Sequence, residues 1–428
     1  MTKKKVLLLG THDSKLAGHI QHTFNQIKDQ CDAVMVTRFG FYGKAPHCYW
    51  PLGGRGLSLW EKIRYFRFSR SFFILWRYLF ILLRTGSIPI IDRKHREYCF
   101  ADYEFLPYSA KDILKKCPDG FIPDIIWVGW SSRFVSSKII YDLYILTGAK
   151  IVYCFVDEAP LTGGCHYPNE CQGYLNGCNN CPALICGKKF PAIQMQLKNQ
   201  HLRDIPLYLV GTPYDMRLAR NTDLFKNAHF FPGIDYPTVT ITPQNEARIL
   251  LGVPKEKYVV LVGAASLNDT RKGFIYSMNS INLVNKHISD LFLLVIGRTD
   301  DHFKLNFPNV DLLELGFVDI DRMVLAYCAA DCFLSTTIAD SGPQMVNYSI
   351  ATGTPVVSFS MGVAQDLVLH KETGYIAKFK DAEDVAEGIR YLYMLDESQR
   401  DQMSKKCISL IKEKSSVGGW QQLLLDIE

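Results

Sequence analysis

The chain has 428 residues, of which 48% are hydrophobic, 12% aromatic and 21% charged. This length exceeds what one hydrophobic core usually serves, so it predicts an ordered protein with two domains of roughly 200 residues each. A formal net charge of +5 is small for this length and argues against a nucleic-acid-binding protein. The composition also excludes collagen-like and largely disordered chains.

The N-terminal segment MTKKKVLLLGTHDSK passes from three lysines into a short apolar run before Gly10. This run is too short for the core of a signal peptide, so we expect a cytosolic protein. The thirteen cysteines are then expected to be reduced thiols or metal ligands, because disulfides are rare in reducing compartments.

Apolar runs alternate with helical spacing through the first half of the chain. Residues 5–10 and 33–38 flank a helical pattern, and residues 124–158 contain a second strand, helix and strand. The strands are apolar at successive positions, which is typical of parallel strands buried on both faces. The first half is therefore predicted to be a parallel sheet with helices on both sides.

Residues 59–86, LWEKIRYFRFSRSFFILWRYLFILLRTG, mix Arg and Lys with aromatic and aliphatic residues. Arg77 interrupts the apolar run from Phe72 to Leu83, and the run falls well short of the roughly 20 residues that span a bilayer. The segment is therefore predicted not to cross a membrane. An interfacial helix at a membrane surface and an ordinary core helix both fit its composition.

Four cysteines, Cys165, Cys171, Cys178 and Cys181, lie in a loop at 162–187 that is rich in Gly, Asn and Pro. A zinc ion held by four thiolates could order a loop with so little apolar core. Because only one Cys-x-x-Cys pair is present, an iron–sulfur cluster and plain reduced thiols stay open as alternatives. The spacing predicts a structural zinc site, which metal analysis would separate from the alternatives.

Pro and Gly interrupt the pattern between 201 and 257, which predicts a domain boundary near 235–245. Apolar runs then begin a second series of alternating strands and helices. We therefore expect two doubly wound α/β domains in tandem. The predicted organisation is a first domain at 1–237, a second domain at 238–412, and a C-terminal helix at 413–428 that could pack back onto the first domain.

A basic turn follows the first strand of the second domain. This strand ends near Gly263, and Arg271, Lys272 and Gly273 open the next helix. Doubly wound sheets bind ligands at the carboxyl ends of their strands, and a helix N-terminus beside cationic side chains attracts anions. The turn is therefore a candidate diphosphate site, although a solvated basic loop fits the same residues.

The stretch DSGPQMVNYSIATGTPVVSF, residues 340–359, brackets a short helix between two turns. Pro343 suits a first helical turn because its missing N–H is not needed there. The predicted helix start, from Ser341 to Met345, is a second candidate anion site, and Asp340 is either an N-cap or a ligand-binding acid. Gly353 is expected to end the helix before the next buried strand.

These elements resemble the retaining glycosyltransferases of family 4, which have the two-domain GT-B fold. The resemblance rests on the RKG helix start, the acid before a short helix and the sequence GTPVV at 353–357. The segments TGGCHYPNECQGYLNGCNNCPAL, FPGIDY and EARILLGVPKEKYVVLVGA are similar to those of exopolysaccharide and colanic-acid-type sugar transferases. The similarity runs from about Lys150 to Ala386.

The resemblance implies a donor site in the second domain. It assigns Lys272, with Arg271 beside it, to the diphosphate of a UDP- or GDP-linked sugar, and Asp340 to hydroxyl groups of that sugar. Tyr348 stands where the family has a glutamate that binds the ribose, so this contact is expected to differ. The implied donor-binding residues are Gly263, Ser341, Gly342, Pro343, Gln344, Met345 and Tyr348.

In the first domain the family often has a His-Asp pair after a strand, and this chain has Val156 and Asp157 there. Asp157 is the candidate for a polar contact with the sugar, although a simple loop acid fits as well. Gly18 and His19 lie where the family has a glycine-rich loop on the acceptor side. The resemblance also favours the membrane-surface interpretation of residues 59–86, since such enzymes commonly extend sugars on lipid carriers.

The sequence thus predicts a retaining glycosyltransferase that moves a sugar from a nucleotide donor to a saccharide, expected to be lipid-linked, in surface polysaccharide synthesis. The second domain would bind the donor and the first the acceptor, on the inner face of the cell membrane. The leaving diphosphate can take the acceptor proton, so positioning and charge stabilisation dominate and no catalytic metal is expected. Nucleic acid is not an expected partner.

Two other functions fit the same residues. A sugar-nucleotide epimerase of this fold would share the donor site and would need no acceptor, so product analysis with and without acceptor distinguishes it. A non-catalytic nucleotide-sugar-binding partner is suggested by Val156 and Tyr348 in place of polar residues. Donor binding without transfer would identify that protein.

Overall fold

A computed structural model gives the fold of the chain over much of its length. The residues it describes are 3–10, 23–24, 27–37, 48–49, 78–79, 81–83, 86, 88–101, 104–106, 108–232, 236–416, 423–424 and 427. The chain divides into two compact units. The first comprises Met1–Gly233 together with Trp420–Glu428, and the second comprises Ile234–Gly419.

The first unit is built on a parallel sheet. Its strands are β1 (Lys5–Gly10), β2 (Asp32–Thr37), β3 (Cys48–Tyr49), β4 (Ile90–Ile91), β5 (Ile125–Val128), β6 (Lys150–Cys154), β7 (Leu184–Cys186), β8 (Leu207–Val210) and β9 (His229–Phe231). The sheet has the order β3-β2-β1-β5-β6-β8-β9, and each neighbouring pair is parallel. Strands β4 and β7 form a separate antiparallel ribbon.

The helices of the first unit begin and end at residues suited to those positions. The described helices are α1 (Ala110–Leu114), α2 (Ser137–Thr147), α3 (Phe190–Leu202) and α4 (Pro213–Arg220). The Ser136 side chain accepts the N–H of Ile139 at the start of α2, and Gly148 ends this helix with a φ of 68°. Thr212 and Asp215 cap each other at the start of α4.

The strands of this sheet are buried on both faces. On β1, Leu7 and Leu9 belong to one apolar cluster, whereas Val6 and Leu8 belong to another. Successive side chains of a strand point to opposite faces, so an unbroken apolar run fills two cores at once. This explains why the strands have continuous apolar sequences instead of alternating ones.

The last residues of the chain pack on the first unit. Leu423, Leu424 and Ile427 lie in the same apolar cluster as Val6 and Leu8. Lys4 Nζ donates hydrogen bonds to the carbonyl oxygens of Leu424 and Ile427, at 3.0 and 2.8 Å. One face of the first sheet is therefore covered in part by residues from the far end of the sequence.

The second unit repeats the architecture. Its strands are β10 (Tyr258–Ser266), β11 (Leu291–Arg298), β12 (Asp311–Glu314), β13 (Cys332–Ser335), β14 (Val356–Phe359) and β15 (Gly374–Ala377), in the parallel order β12-β11-β10-β13-β14-β15. Its helices are α5 (Gln244–Leu251), α6 (Phe274–Val284), α7 (Ile320–Ala329), α8 (Gln344–Ala351), α9 (Ala364–Leu367), α10 (Ala382–Tyr393) and α11 (Glu397–Ser416).

The prediction of two doubly wound α/β domains is confirmed, because each unit has a parallel sheet with apolar clusters on both faces. The assignment of acceptor binding to the first domain and donor binding to the second stays a prediction. In the part of the chain that is described, no helix has the length and apolar character needed to span a bilayer.

We expect Leu424→Ala to destabilise the first unit by about 2–5 kcal/mol, because it leaves a cavity in the cluster against β1. Native-state hydrogen exchange of the β1 amides reports this directly, since their protection should fall. Leu146→Ala is the control, because Leu146 is half exposed on α2 and should change stability by less than about 0.5 kcal/mol. Unchanged β1 protection in Leu424→Ala would show that the C-terminal residues do not support the sheet.

Candidate active site

Two loops at the carboxyl ends of β10 and β13 are joined through their backbones. After β10, the 3₁₀ turn Thr270–Lys272 begins at Asp269, whose side chain accepts the N–H of Arg271. The N–H of Ile338, in the loop after β13, donates to the Arg271 carbonyl at 2.8 Å. The basic turn and the segment before α8 are therefore held at a fixed separation.

Gly273 permits the closest approach between these two loops. Its φ is +60°, and a Cβ at this position would lie 2.0 Å from the Thr336 carbonyl oxygen. The Thr336 hydroxyl donates to the Gly273 carbonyl at 2.9 Å and also bonds to the Ser277 hydroxyl at 2.6 Å. Because a side chain has no room here, only glycine allows the basic turn to lie against β13.

Lys272 and Asp340 form an ion pair between the two loops. Lys272 Nζ bonds to Asp340 Oδ2, and the two side chains are 23 and 14% exposed. Partial burial lowers the effective dielectric constant and strengthens such a contact over a fully solvated one. The structure therefore brings together the cation predicted for a diphosphate and the acid predicted for a sugar.

Arg271 points to local acceptors. Its guanidinium bonds to the carboxylate of Asp269 at 2.5 Å and to the Ala339 carbonyl at 3.4 Å. These contacts span the same two loops as the Lys272–Asp340 pair. Arg271 therefore supports the shape of the turn, and its predicted contact with a diphosphate stays a prediction.

Helix α8 begins later than the sequence suggested. Its first residue is Gln344, and Pro343 precedes it as the N-cap residue. Ser341 is buried, and the Gly342 N–H donates to Asp340 Oδ1 at 3.1 Å. The Asp340 side chain thus accepts the Gly342 N–H in this structure, and the assignment of Gly342 to donor binding stays a prediction.

Gln344 and Met345 provide the N-terminal amides of α8. As the first two residues of a helix they have no intrahelical acceptor for their N–H groups. A Cβ on Gly263 would lie 2.5 Å from Met345 Cε, so glycine at this point of β10 lets the first turn of α8 lie over the strand. The predicted donor residues 263 and 345 are therefore in contact.

Tyr348 lies on α8 against the apolar cluster of the second unit and is half-buried. Burial raises the pKa of its hydroxyl, so the side chain is neutral at ordinary pH. Its ring therefore cannot replace the negative charge of the glutamate that the family resemblance led us to expect.

In the first unit, Asp157 is paired with a histidine from the Cys-rich loop. Asp157 Oδ2 accepts a hydrogen bond from His166 Nδ1 at 2.6 Å, and both residues are buried. The other oxygen, Oδ1, accepts the N–H of Ala159 at 2.9 Å. The rings of Trp130 and His166 lie nearly perpendicular to each other in an edge-to-face arrangement, with centroids 6.3 Å apart.

The His166–Asp157 pair lies just beyond the carboxyl end of β6, where ligands of doubly wound sheets bind. The sequence alone assigned no role to His166. One feature of the sequence could have indicated this pair. Val156 replaces the histidine expected beside Asp157, so a histidine from elsewhere in the chain was needed to pair with Asp157. The Glu158 N–H donates a hydrogen bond to the His166 carbonyl at 3.1 Å. This bond holds the Cys-rich loop beside the residues that follow β6, so that His166 lies next to Asp157.

The predicted zinc site is not supported. Among the residues that the structure describes, no three His, Cys, Asp or Glu side chains are arranged to hold a metal ion. The four cysteines do line one cavity of about 20 Å³. Backbone N–H groups of Gly163 and Gly173 donate to the sulfurs of Cys178 and Cys171, at 3.3 and 3.4 Å.

Three cysteines of this cavity, Cys165, Cys178 and Cys181, are neutral thiols in this structure. Burial raises the pKa of the Cys181 thiol to about 11, and it also raises the pKa values of Cys165 and Cys178. Zinc binds the thiolate, so a zinc ion would have to displace the protons of these thiols. The cluster acts in this structure as part of the small apolar core of the loop, which includes Cys165, Cys181 and Phe190.

Two further predictions fall wholly or mainly outside the described residues. Gly18 and His19, assigned to the acceptor side, lie in an undescribed segment. Of the membrane-surface segment 59–86, the structure describes residues 78–79, 81–83 and 86. Residues 78–79 and 81–83 are helical.

Residues 256–394, most of the second unit, match the family model described as "Glycosyl transferases group 1". This region contains Lys272, Asp340 and the whole of α8. A comparison with curated protein sequences gives no significant match.

Solved structures similar to this chain have the same two-domain architecture. Sucrose-phosphate synthase from Thermosynechococcus elongatus superposes with a TM-score of 0.60 at 14% identity, covering 99% of this chain and 97% of that one. HepE from Anabaena, in complex with UDP and glucose, gives 0.57 at 12%, covering 99 and 98%. A trehalose-6-phosphate protein from E. coli, bound with UDP-2-fluoro glucose, gives 0.59 at 13%, covering 99% of both chains.

The chain therefore has the GT-B fold, with two Rossmann-like α/β domains. The family match over the second unit and this fold together support a glycosyltransferase. More specifically, they support glycosyl transfer from a nucleotide sugar.

We expect Gly273→Ala to destabilise the second unit by about 1–3 kcal/mol more than Gly252→Ala, because the added methyl group meets the Thr336 carbonyl. Gly252 is a matched control, since its φ is +73° and a methyl group added there would meet no atom within 4 Å. Denaturant unfolding of both variants, followed by hydrogen exchange in β10 and β13, measures the difference. Equal destabilisation would mean that the close approach of the loops is unimportant.

Proposed function

We propose that this protein is a retaining glycosyltransferase that moves a sugar from a nucleotide-sugar donor to a saccharide acceptor. The observation that carries the proposal is the Lys272–Asp340 pair beside the first turn of α8, within the region that matches the glycosyltransferase model. A cation and helix N–H groups suit a diphosphate, and a carboxylate suits sugar hydroxyl groups.

Lys272 would act on the leaving group. As the bond between the sugar and the diphosphate breaks, negative charge grows on the diphosphate, and an ammonium group already held in place stabilises that charge. The leaving phosphate oxygen can then take the proton of the acceptor hydroxyl on the same face of the sugar. The chain would contribute positioning and charge, and no separate general base is required.

The donor would be a uridine diphosphate sugar. Support comes from HepE and the E. coli protein, whose structures contain UDP or a UDP-linked sugar. A guanosine diphosphate sugar is the alternative to test. Tyr348 offers the ribose a neutral aromatic surface and no carboxylate, so the nucleoside contact would differ from that expected for family 4.

The acceptor would be a lipid-linked saccharide of a surface polysaccharide, bound by the first unit. The His166–Asp157 pair is the candidate acceptor contact. The hydrogen bond between Asp157 Oδ2 and His166 Nδ1 fixes the orientation of the imidazole, and the pair would contact a sugar hydroxyl of the acceptor. Trp130 against the ring gives this place an aromatic wall of the kind that suits the apolar face of a sugar.

We expect Lys272→Ala to lower the rate of sugar transfer by on the order of 10²-fold or more, because the growing diphosphate charge loses its cation. The measurement is turnover with a panel of UDP- and GDP-sugars and a saccharide acceptor, together with thermal shift by each donor. Lys257→Ala is the matched control, because Lys257 pairs with Asp311 at 3.0 Å in the same unit.

An unchanged rate in Lys272→Ala with every active donor would refute the assignment of Lys272. Product formed from donor alone would identify the epimerase alternative. Thermal shift by a donor without transfer to any acceptor would favour the non-catalytic binding protein.

We expect His166→Gln and Asp157→Asn to reduce transfer roughly 10- to 100-fold while donor affinity stays unchanged, because they alter acceptor positioning in the other unit. Acceptor KM and kcat, measured across pH, separate this role from simple destabilisation, which thermal unfolding would reveal. His95→Gln is the control, since His95 pairs with Glu97 at 3.0 Å on the surface of the same unit. Equal kinetics in all three variants would remove the pair from the site.

A further inference from the structure

Helix α3 carries two polar side chains that are buried against the Cys-rich loop at 162–187. Lys198 is 4% exposed and Gln194 is fully buried. Polar side chains are rarely buried unless hydrogen bonds satisfy them, and lysine is almost never buried completely. The hydrogen bonds of these two residues therefore indicate what they contribute to the first unit.

Lys198 bonds to both ends of the turn that follows β6. Its Nζ donates to the carbonyl oxygens of Ala159 and Thr162, at 2.6 and 2.7 Å. Ala159 begins the 3₁₀ turn Ala159–Leu161, and Thr162 directly follows it. One amine on α3 thus holds this turn at its start and at its end.

Gln194 extends the contact by one residue. Its Nε2 donates to the Gly163 carbonyl at 2.7 Å and to the Ala101 carbonyl at 3.4 Å. Gln194 and Lys198 are four residues apart on α3, so they lie on the same face of the helix. Successive carbonyl groups of the loop therefore accept hydrogen bonds from one helix face.

Gly163 and Gly164 allow the loop to lie directly on α3. A Cβ on Gly163 would lie 2.4 Å from the carbonyl oxygen of Pro191, which is in the first turn of the helix. Gly164 has a φ of +140°, and a Cβ there would lie 2.8 Å from Gln194 Nε2. The glycine pair is therefore a steric requirement of the contact between the loop and the helix.

Helix α3 is itself fixed at both ends. Its first residue, Phe190, is buried in the small apolar cluster of the loop, and its last residue, Leu202, is buried in a main cluster of the first sheet. The hydroxyl of Ser137, at the start of α2, bonds to His201 Nδ1 at 2.9 Å. The helix is therefore a firm support for the loop.

The turn that Lys198 holds is connected to Asp157. Asp157 Oδ1 accepts the N–H of Ala159 at 2.9 Å, and Lys198 Nζ bonds to the carbonyl oxygen of the same alanine. The other carboxylate oxygen, Oδ2, bonds to His166 Nδ1. A shift of Ala159 would therefore move the carboxylate relative to the imidazole.

The same turn is connected to His166 from its other end. The Thr162 hydroxyl donates to the Cys165 carbonyl at 2.5 Å, and Cys165 directly precedes His166. Lys198 bonds to the carbonyl oxygen of Thr162. Both members of the His166–Asp157 pair are thus connected to Lys198 through a residue of the turn.

We infer that Lys198 and Gln194 are positioning residues for the His166–Asp157 pair. They hold residues 159–164 on α3 and so keep the carboxylate and the imidazole in hydrogen-bond contact. Both residues act through the pair. The consequence for acceptor binding and transfer rests on the proposed function, whereas the support of the pair does not.

Nuclear magnetic resonance of the full chain labelled with ¹⁵N-histidine tests this support directly. The His166 ring signals are identified by their loss in His166→Gln. We expect them to move in Lys198→Met, which keeps a long side chain and removes the donor, and in Gln194→Ala, which carries the test if Lys198→Met does not fold. Asn199→Ala is the matched control, because Asn199 Nδ2 donates to the Met195 carbonyl within the same helix, at 3.0 Å.

Unmoved His166 signals in Lys198→Met and Gln194→Ala would overturn the inference. An equal movement of these signals in Asn199→Ala would overturn it too, because the effect would then be a general response to changes in α3.

A double-mutant cycle measures the effect on sugar transfer. Lys198→Met should lower turnover by about tenfold, because the pair is displaced from the acceptor hydroxyl. In the His166→Gln background the same change should cost less than about twofold, because the group through which Lys198 acts is already altered. An effect of Lys198→Met that is equal in both backgrounds would show a merely structural role and contradict the inference.

Leu202→Ala is the control of this cycle for general destabilisation. It opens a cavity in the main apolar cluster at the C-terminal end of α3, so its effect on turnover should be the same in both backgrounds. Coupling to His166→Gln as strong as that of Lys198→Met would mean that the coupling reports lost stability, which would contradict the inference.

These experiments distinguish the inference from the proposed function. His166 signals that move as expected, in a protein that transfers no sugar, would leave the support of the pair standing and remove the transferase. Sugar transfer by the unaltered protein, with His166 signals that move in neither variant, would keep the transferase and overturn the inference.

Discussion

The contact between the Gly273 backbone and Thr336 determines the geometry of the candidate site. Lys272 and Asp340 are separated by 68 residues, and they meet because the loops after β10 and β13 touch at this glycine. Gly362, with a φ of +54°, brings the loop after β14 to within contact of the Asp340 carbonyl. The loops that follow β10, β13 and β14 therefore position Lys272 and Asp340 through backbone contacts. Such contacts vary less in geometry than contacts between long side chains.

The sequence predicts this part of the molecule well for physical reasons. Continuous apolar runs separated by helical spacing require parallel strands covered on both sides, and such sheets gather their loops at one edge. Lys272 and Asp340 each follow a recognisable strand. Their direct pairing could not be read from the chain, because it depends on a steric detail: a methyl group at Gly273 would collide with a carbonyl 63 residues later.

Other features left no periodic signal. His166 lies beside Asp157 because the loop between them folds through 3₁₀ turns and single hydrogen bonds. Such a loop has no regular residue spacing from which the path of the chain could be predicted. Strands β4 and β7 are two and three residues long, so neither shows an alternation that could distinguish its exposed from its buried side. The zinc prediction, which the described residues do not support, has a related explanation. Cysteine spacing indicates that thiols can meet, and burial then decides whether they are neutral core residues or thiolates.

The Lys272–Asp340 pair prepares the site for a charged ligand without leaving a partly buried cation alone. Removing the partner of such a charge would be costly, so the carboxylate stabilises the lysine before any donor arrives. Under the proposed function, a donor diphosphate would carry more negative charge than one carboxylate and would also accept the N–H groups of Gln344 and Met345, so it would compete with Asp340 for the ammonium group. Asp340 would then lie beside the donor, where sugar hydroxyl groups would donate to its oxygens. In this proposal, one ion pair stabilises the protein before the donor binds and provides both a cation for the diphosphate and a carboxylate for the sugar.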